Sequence, residues 1–206
     1  MRILGVSGSL RAASTNTRLL LAATEFVPRG VSIHVTTHIA RLPLFNPDTV
    51  PEDSDTVEPW IREVRASDGI VVSTPEYARG YPGALKNALD WLVGTDAYVN
   101  KPFMLLNASA RSIVAQRTLT TVLETMSGVH IEAASTTVPL LGSNASVSEI
   151  VANPTFAAQL RESLLTFVVA VEERATPPPA PHAAGNRLAN RTPKPSGSAM
   201  VKSRRP

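Results

Sequence analysis

Short apolar runs alternate with segments of helical period along the first 174 residues, and this alternation limits the available architectures more than any other feature. The runs RILGV (2–6), VSIHVTT (31–37), GIVVST (69–74), PFMLLNA (102–108) and VHIEAASTTV (129–138) read as strands. Between and after them lie TRLLLAATEFV (17–27), VEPWIREVRASD (57–68), GALKNALDWLV (83–93), AQRTLTTVLETMSG (115–128) and PTFAAQLRESLLTFVVAVEER (154–174), which read as helices. Strands that alternate with helices form a parallel sheet with helices on both faces. The sequence therefore predicts an α/β domain over residues 1–174, three layers deep, with a five-stranded sheet; 2-1-3-4-5 is the order in which the loops after strands 1, 3 and 4 converge.

Composition agrees and adds exclusions. Of the 206 residues, 43% are hydrophobic and 18% charged, enough to bury a sizeable core. From Ala175 to Pro206 the chain holds seven prolines, six Lys or Arg and no acid, so a basic, disordered tail is expected there. Removing those six from the 20 Lys and Arg leaves 14 bases against 17 acids in residues 1–174, a mildly acidic domain. Nucleic acid is thus not an expected partner, the tail being the one place that invites it. With no cysteine, disulfides, thiolate metal sites and cysteine nucleophiles are excluded. No segment approaches the ~20 apolar residues of a membrane span, and the N-terminal apolar run is short for a secretory signal, so a cytoplasmic protein is expected.

In an open parallel sheet, ligands sit beyond the carboxyl ends of the strands, near the switch in strand order. Three loops there are chemically unusual: SGSLRAASTN (7–16), STPEYARGYPG (73–83) and NASARS (107–112). The first offers a cluster of hydroxyl and amide donors around Arg11 at the start of a helix, which suits a phosphate. The second, fixed by Pro75, Gly80, Pro82 and Gly83, presents backbone N–H groups and two tyrosines to a flat polar ring. Phosphate at one loop and a planar heterocycle at the next indicate a mononucleotide, FMN among the candidates.

Other phosphate and nucleophile motifs fail. The pattern G-x-x-x-x-G-K-[ST] is absent, GVSGSL lacks the third glycine of the dinucleotide fingerprint, and position 9 breaks G-x-S-x-G. His34, His38, His130 and His182 have no metal spacing, and Asp48, Glu52, Asp53 and Asp55 read as a solvated loop. No metal site is expected.

The pieces GSLRAASTNTRLL (8–20), LPLFNPD (42–48) and TPEYARGYPGALKNALDWLV (74–93) resemble the NADPH-dependent FMN reductase family, flavodoxin-like flavoproteins that include quinone, azo-dye and chromate reductases. The resemblance covers roughly residues 1–173 and implies a cofactor site. Ser9, Arg11, Ser14, Asn16 and Thr17 would hold the FMN phosphate. Pro75, Glu76, Tyr77, Ala78, Arg79 and Gly80 would border the isoalloxazine, and Asn107, Ser109 and Arg111 its other side. It further implies NADPH or NADH as co-substrate and a homodimer or homotetramer, the helix of Lys86, Asn87, Asp90 and Trp91 contributing to the interface. The chain departs from many relatives at Ala78-Arg79, where they carry Asn-Gly or Gly-Gly, and at NASARS, where they carry a glycine-rich loop.

The activity implied is hydride transfer from NAD(P)H through bound FMN to a small acceptor: a quinone, azo compound, free flavin or metal oxyanion. The flavin then carries the chemistry, and no catalytic side chain is expected. A flavodoxin-type electron carrier and a non-catalytic nucleotide-binding or regulatory protein share the fold. The weak net charge speaks against an acidic docking surface of the carrier kind.

Overall fold

A computed structural model describes residues 1–140 and 142–175; the expected tail lies outside them apart from Ala175. Strands β1 (Arg2–Ser7), β2 (Ser32–Val35), β3 (Gly69–Ser73), β4 (Pro102–Asn107) and β5 (Val129–His130) pair in parallel in the order β2-β1-β3-β4-β5. Helices α1 (Thr15–Ala23), α2 (Val57–Arg65), α3 (Gly83–Asp90), α4 (Ile113–Thr125), α5 (Val147–Ala152) and α6 (Pro154–Ala175) cover it.

Period-two alternation in the strands builds two cores at once. Leu4, Val6, Ile70, Val72, Phe103 and Leu105 face α2, α3 and α4, where they pack with Trp60, Leu85, Leu89 and Leu119. Ile3, Val71, Met104 and Leu106 face the other way, against Leu19 and Leu20 of α1 and Leu160, Leu164 and Phe167 of α6. Burying both faces explains why the central strands are apolar throughout. Trp60 also donates its indole N–H to the Ala88 carbonyl at 2.9 Å, which ties α2 to α3.

The predicted strand over 129–138 is a correction. It breaks after His130 into a 3-10 turn, Glu132–Ala134, and resumes as β6 (Thr136–Thr137), which pairs with the distal end of β4. Side chains replace the missing ladder bonds: Ser135 Oγ accepts the Leu105 N–H at 3.0 Å, and Gln159 of α6 donates to the Thr137 carbonyl at 2.9 Å. The other helices end within a few residues of their predicted limits. Helix α5 was not anticipated, although Ser146 and Glu149 form the capping box that starts it.

Tyr98 is buried on the α2–α4 side against Gly128, where a Cβ would run into its hydroxyl. Among the described residues that hydroxyl finds no hydrogen-bond partner, and burial pushes its pKa far above the ordinary 10.0. Above pH 10 the unfolded chain therefore ionises at this residue while the folded chain does not, and stability falls. Tyr98→Phe is expected to keep or raise stability by up to about 1 kcal/mol at neutral pH. It should also lose less stability than wild type between pH 9 and 11 in urea titrations. Identical alkaline slopes would mean that water reaches the hydroxyl.

Candidate functional site

The carboxyl ends of β1, β3 and β4 open into one cleft of about 410 Å³. Its walls come from the loops that follow these strands, together with Gly142 from the segment after β6. The first two loops are locked together. Gly8 donates its N–H to the Ser73 carbonyl at 2.9 Å, and a Cβ on Gly8 would strike Thr74. Ser73 Oγ donates to Asn16 Oδ1 at 3.0 Å, fastening the first turn of α1 to the end of β3.

The first loop winds its polar side chains inward. Ser7 Oγ accepts the Ser9 N–H at 3.3 Å, Ser9 Oγ accepts the Arg11 N–H at 3.4 Å, and Ser14 Oγ caps α1 by accepting the Thr17 N–H at 3.2 Å. Ser9, Ser14 and Asn16 are buried and line the cleft with Arg11 and Thr15. Because Ser9 and Ser14 accept through their oxygens, their O–H groups stay available as donors. The N–H groups of Thr15 and Asn16 precede the first intrahelical bonds and lack helical acceptors. Helix N-terminus, hydroxyls and guanidinium together form a site for a dianion.

The third loop repeats this winding with a different ending. Asn107 Oδ1 accepts the Ser109 N–H and Ser109 Oγ the Arg111 N–H, both at 3.1 Å. Thus S-x-S-x-R at 7–11 and N-x-S-x-R at 107–111 trace the same pattern, each closing on an arginine that lines the cleft. The helix that follows is closed, however. Glu76 Oε2 accepts the N–H groups of Val114 and Ala115, both at 3.0 Å, so the protein supplies its own anion to α4. An external phosphate therefore has one open helix terminus, that of α1.

The second loop is a tight turn. Tyr77 N–H bonds the Gly80 carbonyl at 2.8 Å and Gly80 N–H the Tyr77 carbonyl at 3.0 Å. The two residues between, Ala78 and Arg79, have φ of 49° and 63°. A two-residue turn of this hand requires positive φ at both positions, which is why Asn-Gly suits it. Pro75, Tyr77, Ala78 and Arg79 line the cleft, and the N–H groups of Ala78 and Arg79 bond to no described residue. Behind the turn, partial burial raises the Tyr81 hydroxyl above its ordinary pKa.

Three expected residues lie off the lining. Thr17 sits beneath it, 2.8 Å from Ser7 Oγ; Gly80 closes the turn; Asn107 supports Ser109 and faces an adjoining groove. Four further residues line the cleft: Thr15, Ala108 and Ser112 from the loops expected there, and Gly142, which was not anticipated. Gly142 is brought in from far along the chain, and the glycine of LLGSNAS is its only sequence signal. Trp91 lies on the helix expected at a subunit interface. It is 2% exposed, donates to the Pro43 carbonyl at 2.9 Å and meets Phe45 edge-on, so it anchors LPLFNPD to α3 rather than reaching outward. Among the described residues, no group of three His, Cys, Asp or Glu is placed to hold a metal.

Left-handed φ at a residue with a side chain costs about 1–2 kcal/mol, and glycine avoids most of that. Arg79→Gly is therefore expected to raise the thermal midpoint by about 2 °C. A lower midpoint would mean that contacts of the Arg79 side chain outweigh the strain.

Residues 1–140 match the family described as NADPH-dependent FMN reductase. An NAD(P)H-dependent FMN reductase of Pseudomonas aeruginosa is 38% identical over 113 residues, 53% of this chain and 60% of that protein. A quinone reductase of Escherichia coli is 32% identical over the same length and the same shares. The chain thus spans about 60% of the length of these curated relatives. FerB of Paracoccus denitrificans, a flavoenzyme NAD(P)H:(acceptor) oxidoreductase, superposes with a TM-score of 0.74 at 26% identity, covering 84% of this chain and 97% of FerB. With more than half its length matched, the chain belongs to the NADPH-dependent FMN reductase family.

Proposed function

We propose that the protein is an FMN-dependent reductase that passes electrons from NAD(P)H to a small acceptor, with quinones the first class to test. The observation that carries this reading is the pairing in one cleft of an open, arginine-flanked helix terminus with a loop of free peptide N–H groups. The residues fit the cofactor. Ser9, Arg11, Ser14 and Asn16 would hold its phosphate at α1, and the dianion has no competing helix terminus because Glu76 closes α4. Ala78 and Arg79 would offer their N–H groups to the polar edge of the ring, with Tyr77 beside it.

When bound, FMN accepts hydride from a reduced nicotinamide and hands two electrons to the acceptor. The protein's share is position and charge. Arg11, Arg79 and Arg111 bring three guanidiniums to the lining against one carboxylate, so negative charge gathered there is stabilised. Among the described residues no histidine, lysine or cysteine lines the cleft, and Glu76 is held by two amides, so the serine hydroxyls there have no histidine or lysine base to activate them. A flat ligand held between these loops would keep one face against protein and offer the other to the two substrates in turn.

The reading is tested by the anaerobic absorbance spectrum of protein mixed with FMN and then NADPH. Flavin bands that appear on binding and bleach with NADPH are expected, with Arg11→Ala weakening FMN binding about tenfold. A flavin that binds and does not bleach would favour an electron carrier, and no binding would remove the reading.

We also propose a homo-oligomer. Leu44 is 85% exposed on a segment held firmly to α3 by Asn87, whose Oδ1 accepts the Phe45 N–H at 2.8 Å. A rigid, exposed leucine beside a half-exposed phenylalanine suits a second copy. Light scattering should report a dimer or tetramer, and Leu44→Glu should lower the mass; a monomeric wild type would refute this.

A further inference from the structure

Beside the cleft, a polar groove of about 710 Å³ runs between α4 and the broken β5–β6 edge. Its origin is the break itself. A strand that stops at His130 cannot cover the outer flank of α4, so the stripe Ser112, Gln116, Arg117 and Thr120 faces open space instead of a neighbour. The opposite wall carries His130, Ser135, Thr136 and Thr137. Nothing in the reductase reading so far uses this surface.

We propose that the groove receives the adenosine diphosphate half of NAD(P)H while the nicotinamide end reaches into the cleft, an inference that rests on the reductase reading. Room is the first argument. The cleft, at about 410 Å³, lies toward the small end of the range of ~300–1,000 Å³ for ligand pockets, enough for one mononucleotide. A dinucleotide lying over it needs a second compartment for its other half.

Continuity is the second argument. Ser112 lines both spaces, with Arg111 on the cleft side and Arg117 on the groove side. A pyrophosphate crossing at Ser112 meets a guanidinium on either side, and among the described residues neither arginine is in a salt bridge. The α4 terminus between them is filled by Glu76, so these arginines carry the recognition of the diphosphate.

Chemistry is the third argument. Both walls carry hydroxyls and amides that suit a ribose, Glu132 is the carboxylate of the lining, and Gln116 Nε2 is a buried donor with no partner among the described residues. Ile113, 69% exposed where α4 begins, adds an apolar surface at the groove's rim for adenine. His130 is stacked on Phe103 at 4.8 Å and bonded to Ser135 at 2.9 Å, so this wall is rigid.

The test uses the full-length, FMN-loaded protein and two probes. ADP-ribose, which lacks nicotinamide, is titrated by calorimetry. Flavin reduction is followed anaerobically with NADPH and with reduced nicotinamide mononucleotide, which lacks the ADP half. Wild type should bind ADP-ribose and half-saturate with NADPH at a concentration at least tenfold below that for the mononucleotide. Arg117→Ala, and Thr120→Glu on the same stripe, should weaken ADP-ribose and NADPH about tenfold while moving the mononucleotide less than twofold. Arg62→Ala on α2 controls for net charge and should change neither. Unaltered ADP-ribose binding in both groove variants, or equal half-saturation by the two reductants in wild type, would overturn the groove and leave the reductase standing. ADP-ribose binding that depends on Arg117 without any flavin reduction would support the groove and overturn the reductase.

Discussion

The site depends on how closely the first two βα loops approach each other. Gly8 passes Thr74 with no room for a Cβ, and its N–H is bonded to the Ser73 carbonyl. One residue pair further on, Ser73 reaches into α1 and holds Asn16. The start of α1 and the end of β3 therefore move as one piece. Everything that faces the cleft from the first loop, the Ser9 and Ser14 hydroxyls and the Arg11 charge, is placed relative to the turn at Tyr77–Gly80 by these contacts. A side chain at position 8 would separate the two halves of the site without touching a ligand.

The treatment of the two helix termini follows from the same economy of buried polar groups. Each βα loop winds through a pair of side-chain-to-backbone bonds and ends on an arginine, and both lead into a helix. A helix terminus at the bottom of a cleft must find an acceptor for its N–H groups. At α4 the acceptor is Glu76, from the neighbouring loop, while at α1 the Ser14 cap takes only the Thr17 N–H. The asymmetry gives the cleft a direction, with one end prepared for an anion and the other already neutralised. Glu76 thereby has a structural part, closing α4 with one carboxylate oxygen while it stays in the cleft lining.

Much of this was legible in the chain. The strand–helix alternation determines a parallel sheet because period-two and period-3.6 burial cannot be exchanged, and the apolar character of strands 3 and 4 requires helices on both faces. Ser9, Arg11, Ser14 and Pro75 through Arg79 stand out because small hydroxyls and prolines are dense where a plain connection needs few. Other features were hidden. His34 and His38 look scattered in sequence and yet both turn to Glu63, at 3.0 and 3.9 Å. The adjacency arises only when β2 lies beside α2.

What the sequence determined by itself was the layer architecture and which loops carry the polar cluster. These depend on local periodicity and on residue types that few other structures use. The tertiary structure alone decided three things: that Glu76 reaches the start of α4, that Gly142 enters the cleft, and that the fifth strand breaks. Each rests on contacts between residues dozens of positions apart, Glu76 with Val114, Leu140 with Ala108, Ser135 with Leu105. No local pattern encodes them, because the free energy of a buried hydrogen bond depends on where its partner lies in space, not on how far away it is in the chain.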